Sequence, residues 1–305
     1  MTEHIPAKRK NDVVDGYRVL SELGRGAASI IYVAQDERSK QVVALKQVHK
    51  SSQKDQRFLD QAEIEYRVAS EINHPAIRKI HRLIKKGTLL KVRELYLVME
   101  LVDGVSMERH PPDTFEQALD IFAQTARGLA HMHERGFVHA DMKPNNIIIS
   151  ESDRAKVIDL GQSCKIGTVK PRIQGTPDYI APEQVHRREI TPVTDVYNLG
   201  ATMYWVLTRR KVPTAMASSE SLVGRLDDHL IEKPAPANEV NPRIPPRLSD
   251  LIMRCVSVPL DQRPQSMADV AERLEFVLGQ LRARQAPKPD YNDDTTILRA
   301  QGEEA

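Results

Sequence analysis

The chain has 305 residues, with 44 Lys plus Arg against 42 Asp plus Glu and a formal charge of +2. At about 100 to 200 residues per domain this is two domains or one large enzyme-sized unit. The charge is too even for bulk electrostatics to draw the chain to nucleic acid or to a membrane surface, so no nucleic-acid partner is expected. An apolar share of 40% with 28% charged residues argues against bulk disorder and collagen-like repetition. The two cysteines, Cys164 and Cys255, read as reduced thiols. No apolar run reaches the ~18 residues of a bilayer span and the polar N-terminus lacks a signal-type segment, which together predict a cytoplasmic protein with no membrane span.

Alternation between Tyr17 and Val48 predicts three antiparallel strands, carried by Tyr17 to Leu20, Ile31 to Val33 and Val42 to Leu45. From Phe58 to Ile72 the period changes to that of a half-buried helix, closed by Asn73, His74 and Pro75. Two further strand-like runs, Ile77 to Ile84 and Leu95 to Val102, are joined by a basic loop from Lys85 to Arg93. After Asp103 and Gly104 the pattern turns helical. Asp113 with Glu116, or Thr114 with Gln117, offers a capping box ahead of Ala118, Ile121, Phe122, Leu129 and Met132. Helical runs follow at Thr194 to Leu207, Leu248 to Val256 and Met267 to Leu281. A β-rich first third before an α-rich remainder predicts an α+β fold of two lobes. The expected division is a flexible N-terminus (1–16), a β-rich lobe with one main helix (17–102), an α-rich lobe (103–281) and a disordered tail (282–305).

Gly24, Gly26 and Ser29 lie in a hairpin of small residues, where backbone N–H groups can approach phosphate closely. By itself such a hairpin is more often only a tight turn. Lys46, one strand further on, can reach the same phosphates, and it needs a carboxylate to hold it. Glu63 and Glu65 are the candidates, about 200° apart around the helix at ~100° per residue, so only one faces the site. Glu65 is chosen. The string from His139 to Asn146, followed by Asp159-Leu160-Gly161, gathers Asp141, Lys143, Asn146 and Asp159. Two carboxylates, an amide oxygen and a cation are what Mg-nucleotide chemistry needs: oxygen ligands for a hard cation, a base, and positive charge on a transferring phosphoryl group. A zinc site built on His131, His133, His139 and Asp141 is disfavoured, because His131 and His133 stand two residues apart on a helix and point to nearly opposite faces.

With Ala44 to Lys46, Glu65, His139 to Asn146, Asp159 to Gly161 and Ala181-Pro182-Glu183 in this order, the chain resembles the eukaryotic-type, bacterial-like Ser/Thr protein kinase family over about residues 17 to 281. The resemblance implies a bilobal kinase fold using ATP and Mg²⁺, and the residue roles that follow come from it. Lys46 holds the α- and β-phosphates and pairs with Glu65. Asp141 takes or orients the substrate hydroxyl proton, Lys143 stabilises charge on the γ-phosphoryl, and Asn146 and Asp159 bind Mg²⁺. Ile31 and Ala44 above and Ile148 below sandwich the adenine, with Met99 behind and Glu100 to Val102 offering backbone hydrogen bonds. Thr176 contacts Asp141 and Lys143 and seats a Ser or Thr of the protein substrate, Glu183 pairs with Arg263, and Asp195 braces the catalytic loop.

Two positions depart from the family pattern. Ala140 stands where an Arg commonly precedes the catalytic Asp, so activity is expected to be largely independent of phosphorylation between Gly161 and Gly175. Ser163 and Thr168 are the hydroxyls there, and Lys165, Lys170 and Arg172 remain as cations that a phosphate could meet. Ser29 replaces a third glycine and keeps a small side chain. Those two departures are all that supports the other reading, a kinase-fold scaffold or pseudokinase that binds ATP without transferring phosphate. In the tail, Thr295 and Thr296 behind Asp293 and Asp294 resemble the phosphothreonine sites read by forkhead-associated domains.

Overall fold

A computed structural model describes residues 6–26, 28–88, 91–213 and 231–285. Thr295 and Thr296 lie outside the described residues. The first part is a six-stranded antiparallel sheet: β1 (Val13–Val14), β2 (Tyr17–Arg25), β3 (Ser29–Asp36), β4 (Val42–His49), and, after helix α1 (Gln56–Glu71), β5 (Ile80–Thr88) and β6 (Lys91–Met99), in the order β1-β2-β3-β4-β6-β5.

Strict alternation on β3 decides which face each side chain takes. Ile30, Tyr32 and Ala34 join an outer apolar cluster with Leu45, Tyr96 and Val98, while Ile31 packs on the larger cluster behind the sheet. Helix α1 covers that inner face through Leu59, Ala62, Val68 and Ala69, and Glu65 stands in the same buried stripe.

The stretch read as a basic loop is mostly strand. Lys85 pairs with Leu95, Lys86 with Glu94 and Thr88 with Lys91, so β5 and β6 stay paired as far as Thr88 and Lys91. Apolar alternation fades there because the strand ends project into solvent, which removed the signal. The other end shifts too: β6 stops at Met99, short of Val102.

Beyond Met99 come β7 (Val105–Ser106), α2 (Phe115–Glu134), β8 (Phe137–Val138), β9 (Ile147–Ile149), β10 (Ala155–Val157), β11 (Cys164–Lys165), β12 (Thr168–Val169), α3 (Pro182–Val185), β13 (Glu189–Ile190), α4 (Pro192–Thr208), α5 (Ala237–Val240), α6 (Pro246–Cys255) and α7 (Met267–Gln285). Thr114 caps α2, its hydroxyl accepting from Gln117 N at 3.1 Å, while the Gln117 amide oxygen accepts from Asp113 N. The short strands form small ribbons, β10-β9-β7, β11-β8 and β12-β13, which pin the loops between them. Helix α7 runs four residues beyond Leu281, into what was read as tail.

The packing of α4 against α6 depends on a missing side chain. A Cβ on Gly200 would stand 2.5 Å from Cys255 Cβ and 3.1 Å from Val256 Cγ1. Both cysteines are free thiols, and Cys255 is fully buried at this crossing. Gly200→Ala is expected to destabilise the fold by about 1–3 kcal/mol through overpacking. Denaturant unfolding checks this, and an unchanged midpoint would remove the argument.

Candidate active site

A cavity of about 300 Å³ lies between the sheet and the helical part, lined by Gly26 and Ser29 from the hairpin, Lys46, Glu65, Asp141, Lys143, Asp159, Gly161 and Gln162 among others. Gly26 N–H donates to Ser29 O at 2.8 Å, closing the hairpin over this space, and Gly24 sits in β2 at its edge.

Lys46 Nζ donates to Glu65 Oε2 at 2.7 Å. Glu63 faces outward instead, paired with Lys85 at 2.6 Å. The second oxygen of Glu65 accepts from Arg78 Nη2 at 3.2 Å. The run read as strand from Ile77 begins only at Ile80, so Arg78 lies in an irregular stretch whose side-chain direction strand alternation does not give. Burial works against the charge of Lys46, yet the Glu65 and Asp159 carboxylates outweigh it and leave its pKa raised. For Asp159, burial alone would raise the pKa, but Lys46, Arg78, His139 and Lys143 hold it below the usual carboxylate range. The four groups Lys46, Glu65, Arg78 and Asp159 thus form one alternating charge network. Arg78→Met removes one arm of it, with an expected loss of about 1.5–3 kcal/mol for a hydrogen bond to a charged group. The readout is thermal unfolding; a melting temperature equal to wild type would show that Lys46 alone suffices for Glu65.

The loop after β8 carries the second cluster. Lys143 Nζ donates to Asp141 Oδ2 at 2.9 Å and to Thr176 Oγ1 at 2.8 Å, and Thr176 donates to Asp141 Oδ1 at 3.0 Å. Asn146 Nδ2 donates to Asp141 O at 2.9 Å, which leaves its amide oxygen for another partner. Asp159 adopts a left-handed backbone (φ 64°), as does Ala140 (φ 61°), and such conformations in non-glycine residues concentrate at functional sites. Ala140 is held from both sides: its N–H donates to Asp195 Oδ1 at 2.8 Å and its carbonyl accepts from Gln184 Nε2 at 2.8 Å.

Asp195 is the anchor of this loop. Its carboxylate also accepts from His139 N and from His133 Nε2, both at 2.8 Å. His131 stacks beside the His74 ring instead, on the other side of α2. Burial pushes the pKa of Asp195 up, but the His133 hydrogen bond, the His133 and His139 charges and the Ala140 N–H more than reverse this. Its folded pKa therefore lies below its unfolded value of about 3.9. The stabilisation is present above about pH 4 and is lost as pH falls through the folded pKa. Asp195→Asn should flatten the acid limb of stability in that range; acid titrations that superimpose would contradict it.

The adenine set falls into a different region. Met99 is fully buried and Ala44 nearly so, in the cluster on which Ile31 packs. None of Ile31, Ala44, Met99, Val102 and Ile148 lines the cavity just described. Ile148 sits on β9 opposite Ser106. Glu100 is turned away: its N–H donates to Lys79 O, and its carboxylate takes Lys79 N–H and Lys156. Glu100 N–H is thus already used within the protein, which narrows the expected backbone contacts to the Glu100 carbonyl and the rest of that segment.

Asp159 and Asn146 offer two hard oxygen donors, and no three His, Cys, Asp or Glu side chains gather to hold a metal among the described residues. Two protein ligands suit a divalent cation that takes its remaining oxygens from phosphates and water.

Glu65 and Asp159 among cations, a third carboxylate, Asp141, bonded to a Lys and a Thr, and a small-residue hairpin are thus gathered on the described residues. The family model described as protein kinase domain matches residues 17–274, and the chain belongs to that family, in its eukaryotic-type Ser/Thr branch. It is 31% identical over 244 residues to the serine/threonine-protein kinase PknA of Mycobacterium tuberculosis, covering 77% of this chain and 55% of that protein. It is 29% identical to PknB of Mycolicibacterium smegmatis over 94% of this chain and 46% of that one. The chain spans about half the length of the curated relatives it matches. No helix among the described residues is long and apolar enough to cross a membrane.

Proposed function

We propose that this chain transfers the γ-phosphoryl group of Mg-ATP to Ser or Thr hydroxyls of proteins, itself included. The observation that carries the reading is the closed triangle of Asp141, Lys143 and Thr176 facing the Lys46–Glu65 pair across one cavity. The catalytic unit is residues 17–281, with its lobes divided near Val102 and Asp103.

In this reading Asp141 Oδ1, which here accepts from Thr176, receives the proton of the incoming hydroxyl. Lys143 stays between Asp141 and the phosphate, so negative charge on the moving group meets a cation without solvent reorganisation. Lys46, fixed by Glu65, holds the non-transferring phosphates. Asn146 and Asp159 would hold Mg²⁺, which supplies charge neutralisation on the phosphates when bound. Thr176 sits where it contacts both Asp141 and Lys143, a position suited to seating an aliphatic hydroxyl. Because the reaction draws on ATP, a cytoplasmic site of action is proposed as well.

The scaffold reading rests on Ala140 and Ser29 alone. Neither removes a group from the network, since Ala140 contributes backbone contacts and Ser29 O accepts the hairpin bond. A phosphotransfer assay of wild type beside Asp159→Asn, scored on self and on a generic protein substrate, separates the two. The kinase reading expects transfer by wild type and none by the variant, and ATP binding without transfer in both would favour the scaffold. For the proposed forkhead-associated partner, mass spectrometry after ATP incubation should find phosphate on Thr295 or Thr296; its absence would remove self-phosphorylation there as the route to that partner.

A further inference from the structure

Lys170 is the one cation of the Gly161–Gly175 segment that turns inward. Only 8% exposed, it follows β12 and its ammonium donates to Gln162 O at 2.6 Å. Among the described residues it has no carboxylate within ion-pair distance. The surrounding charges are Asp141 and Asp195 from the catalytic loop and α4, with the Cys164 thiol of β11 alongside. Burial opposes its charge and lowers its pKa. A buried ammonium without a direct carboxylate partner is costly, so its position calls for a gain elsewhere.

Gln162 supplies the link. It ends the turn that begins at Asp159 and lines the cavity with Lys46, Asp141 and Asp159. Lys170 itself does not line that cavity. Its bond to the Gln162 carbonyl closes the loop of seven residues between them, whose two limbs are already pinned by β11 on β8 and β12 on β13. Ordering therefore comes from an internal cation meeting a backbone carbonyl. Of the two hydroxyls in the segment, Ser163 is buried, and Thr168 Oγ1 is engaged with Lys165 O at 2.6 Å. Lys170 is thus committed within the protein, contrary to the expectation that it stands ready for a phosphate.

We propose that Lys170 is a positioning residue that locks the Asp159 turn and the segment after it in the closed geometry, so that the enzyme works without a phosphate there. The proposal rests on the kinase reading above. It also implies a trade: Lys170→Met keeps the length of the side chain and removes the buried charge, so the variant should lose turnover without losing stability. A residue needed only for packing would lose both together.

The test uses the full chain treated with a protein phosphatase, with intact mass showing no phosphate. Treated wild type should keep its kcat, and Lys170→Met should lose about ten-fold or more in kcat, the size expected from slight misplacement of reacting groups. Its melting temperature should be at or above wild type, while tryptic cleavage after Lys165 and Arg172 should quicken several-fold. Lys170→Arg, which restores the cation, should recover slow cleavage and most of the kcat. The proposal is overturned if treated wild type loses its turnover, or if Lys170→Met matches wild type in both kcat and cleavage. A Lys170→Met protein that melts well below wild type would overturn the trade and make Lys170 a packing residue. Wild type that transfers no phosphate in any state would instead sink the kinase reading, and the cleavage rates would still decide the lock.

Discussion

Glu183→Ala is expected to melt about 6–20 °C below wild type when thermal unfolding is measured. The figure follows from the pair it breaks. Arg263 is 1% exposed, and its guanidinium donates to both Glu183 oxygens at 2.8 and 3.0 Å, and to the carbonyls of Ser257, Val193 and Val258 at 2.7, 3.0 and 3.1 Å. Its carbon also lies 4.8 Å from the Tyr197 ring centroid, a contact that adds cation–π attraction. Removing one partner of a buried pair strands the other charge at about 3–5 kcal/mol. In a protein of this size each kcal/mol moves the midpoint by about 2–4 °C. Arg263→Ala should be worse still, because three backbone carbonyls lose their donor as well as Glu183. A Glu183→Ala protein melting within about 2 °C of wild type would mean that water reaches this pair, contrary to its burial. The consequence reaches the active site: Glu183 is followed on α3 by Gln184, which holds Ala140 O and accepts from Ala181 N and Asn198 Nδ2.

Where the chain is regular, its residues announced their places. Glu65 is the clearest case. The buried face of α1 runs Leu59, Ala62, Glu65, Val68, Ala69, so a carboxylate three residues from Ala62 is carried inward by helical spacing alone. Glu63, off that stripe, is solvated and meets Lys85. Ile31, named only through the resemblance, stands on the inner side of the alternating strand β3. Arg78 and Lys170 lie in irregular segments, where direction is set by contacts between distant parts of the chain. Nothing local distinguishes Lys170 from Lys165 or Arg172. Only the pairing of β11 with β8 and β12 with β13 turns one inward and leaves the others exposed. The β5–β6 extension was missed for a related reason, since backbone pairing continued where side-chain alternation had stopped.

The second large effect is expected at Asp141. Its carboxylate holds Lys143 on Oδ2 and Thr176 on Oδ1, and its own carbonyl accepts from Asn146. Asparagine in its place preserves size and can still accept one hydrogen bond, but it carries no charge for Lys143 and no basic oxygen for a hydroxyl proton. If Asp141 receives that proton, Asp141→Asn should lower kcat by about 10²–10⁴, the range for loss of a general base. ATP should still bind, because Lys46, Glu65 and the hairpin are untouched and Asp159 keeps Lys46 and Arg78 beside it. The melting temperature should change little, since the backbone bond from Asn146 remains. Equal losses in kcat and in kcat/KM would mark an interaction made in the transition state, whereas a rise in KM alone would mark ground-state binding. A kcat within a few-fold of wild type would take the proton from Asp141 and return the carboxylate to a purely orienting role beside Lys143 and Thr176.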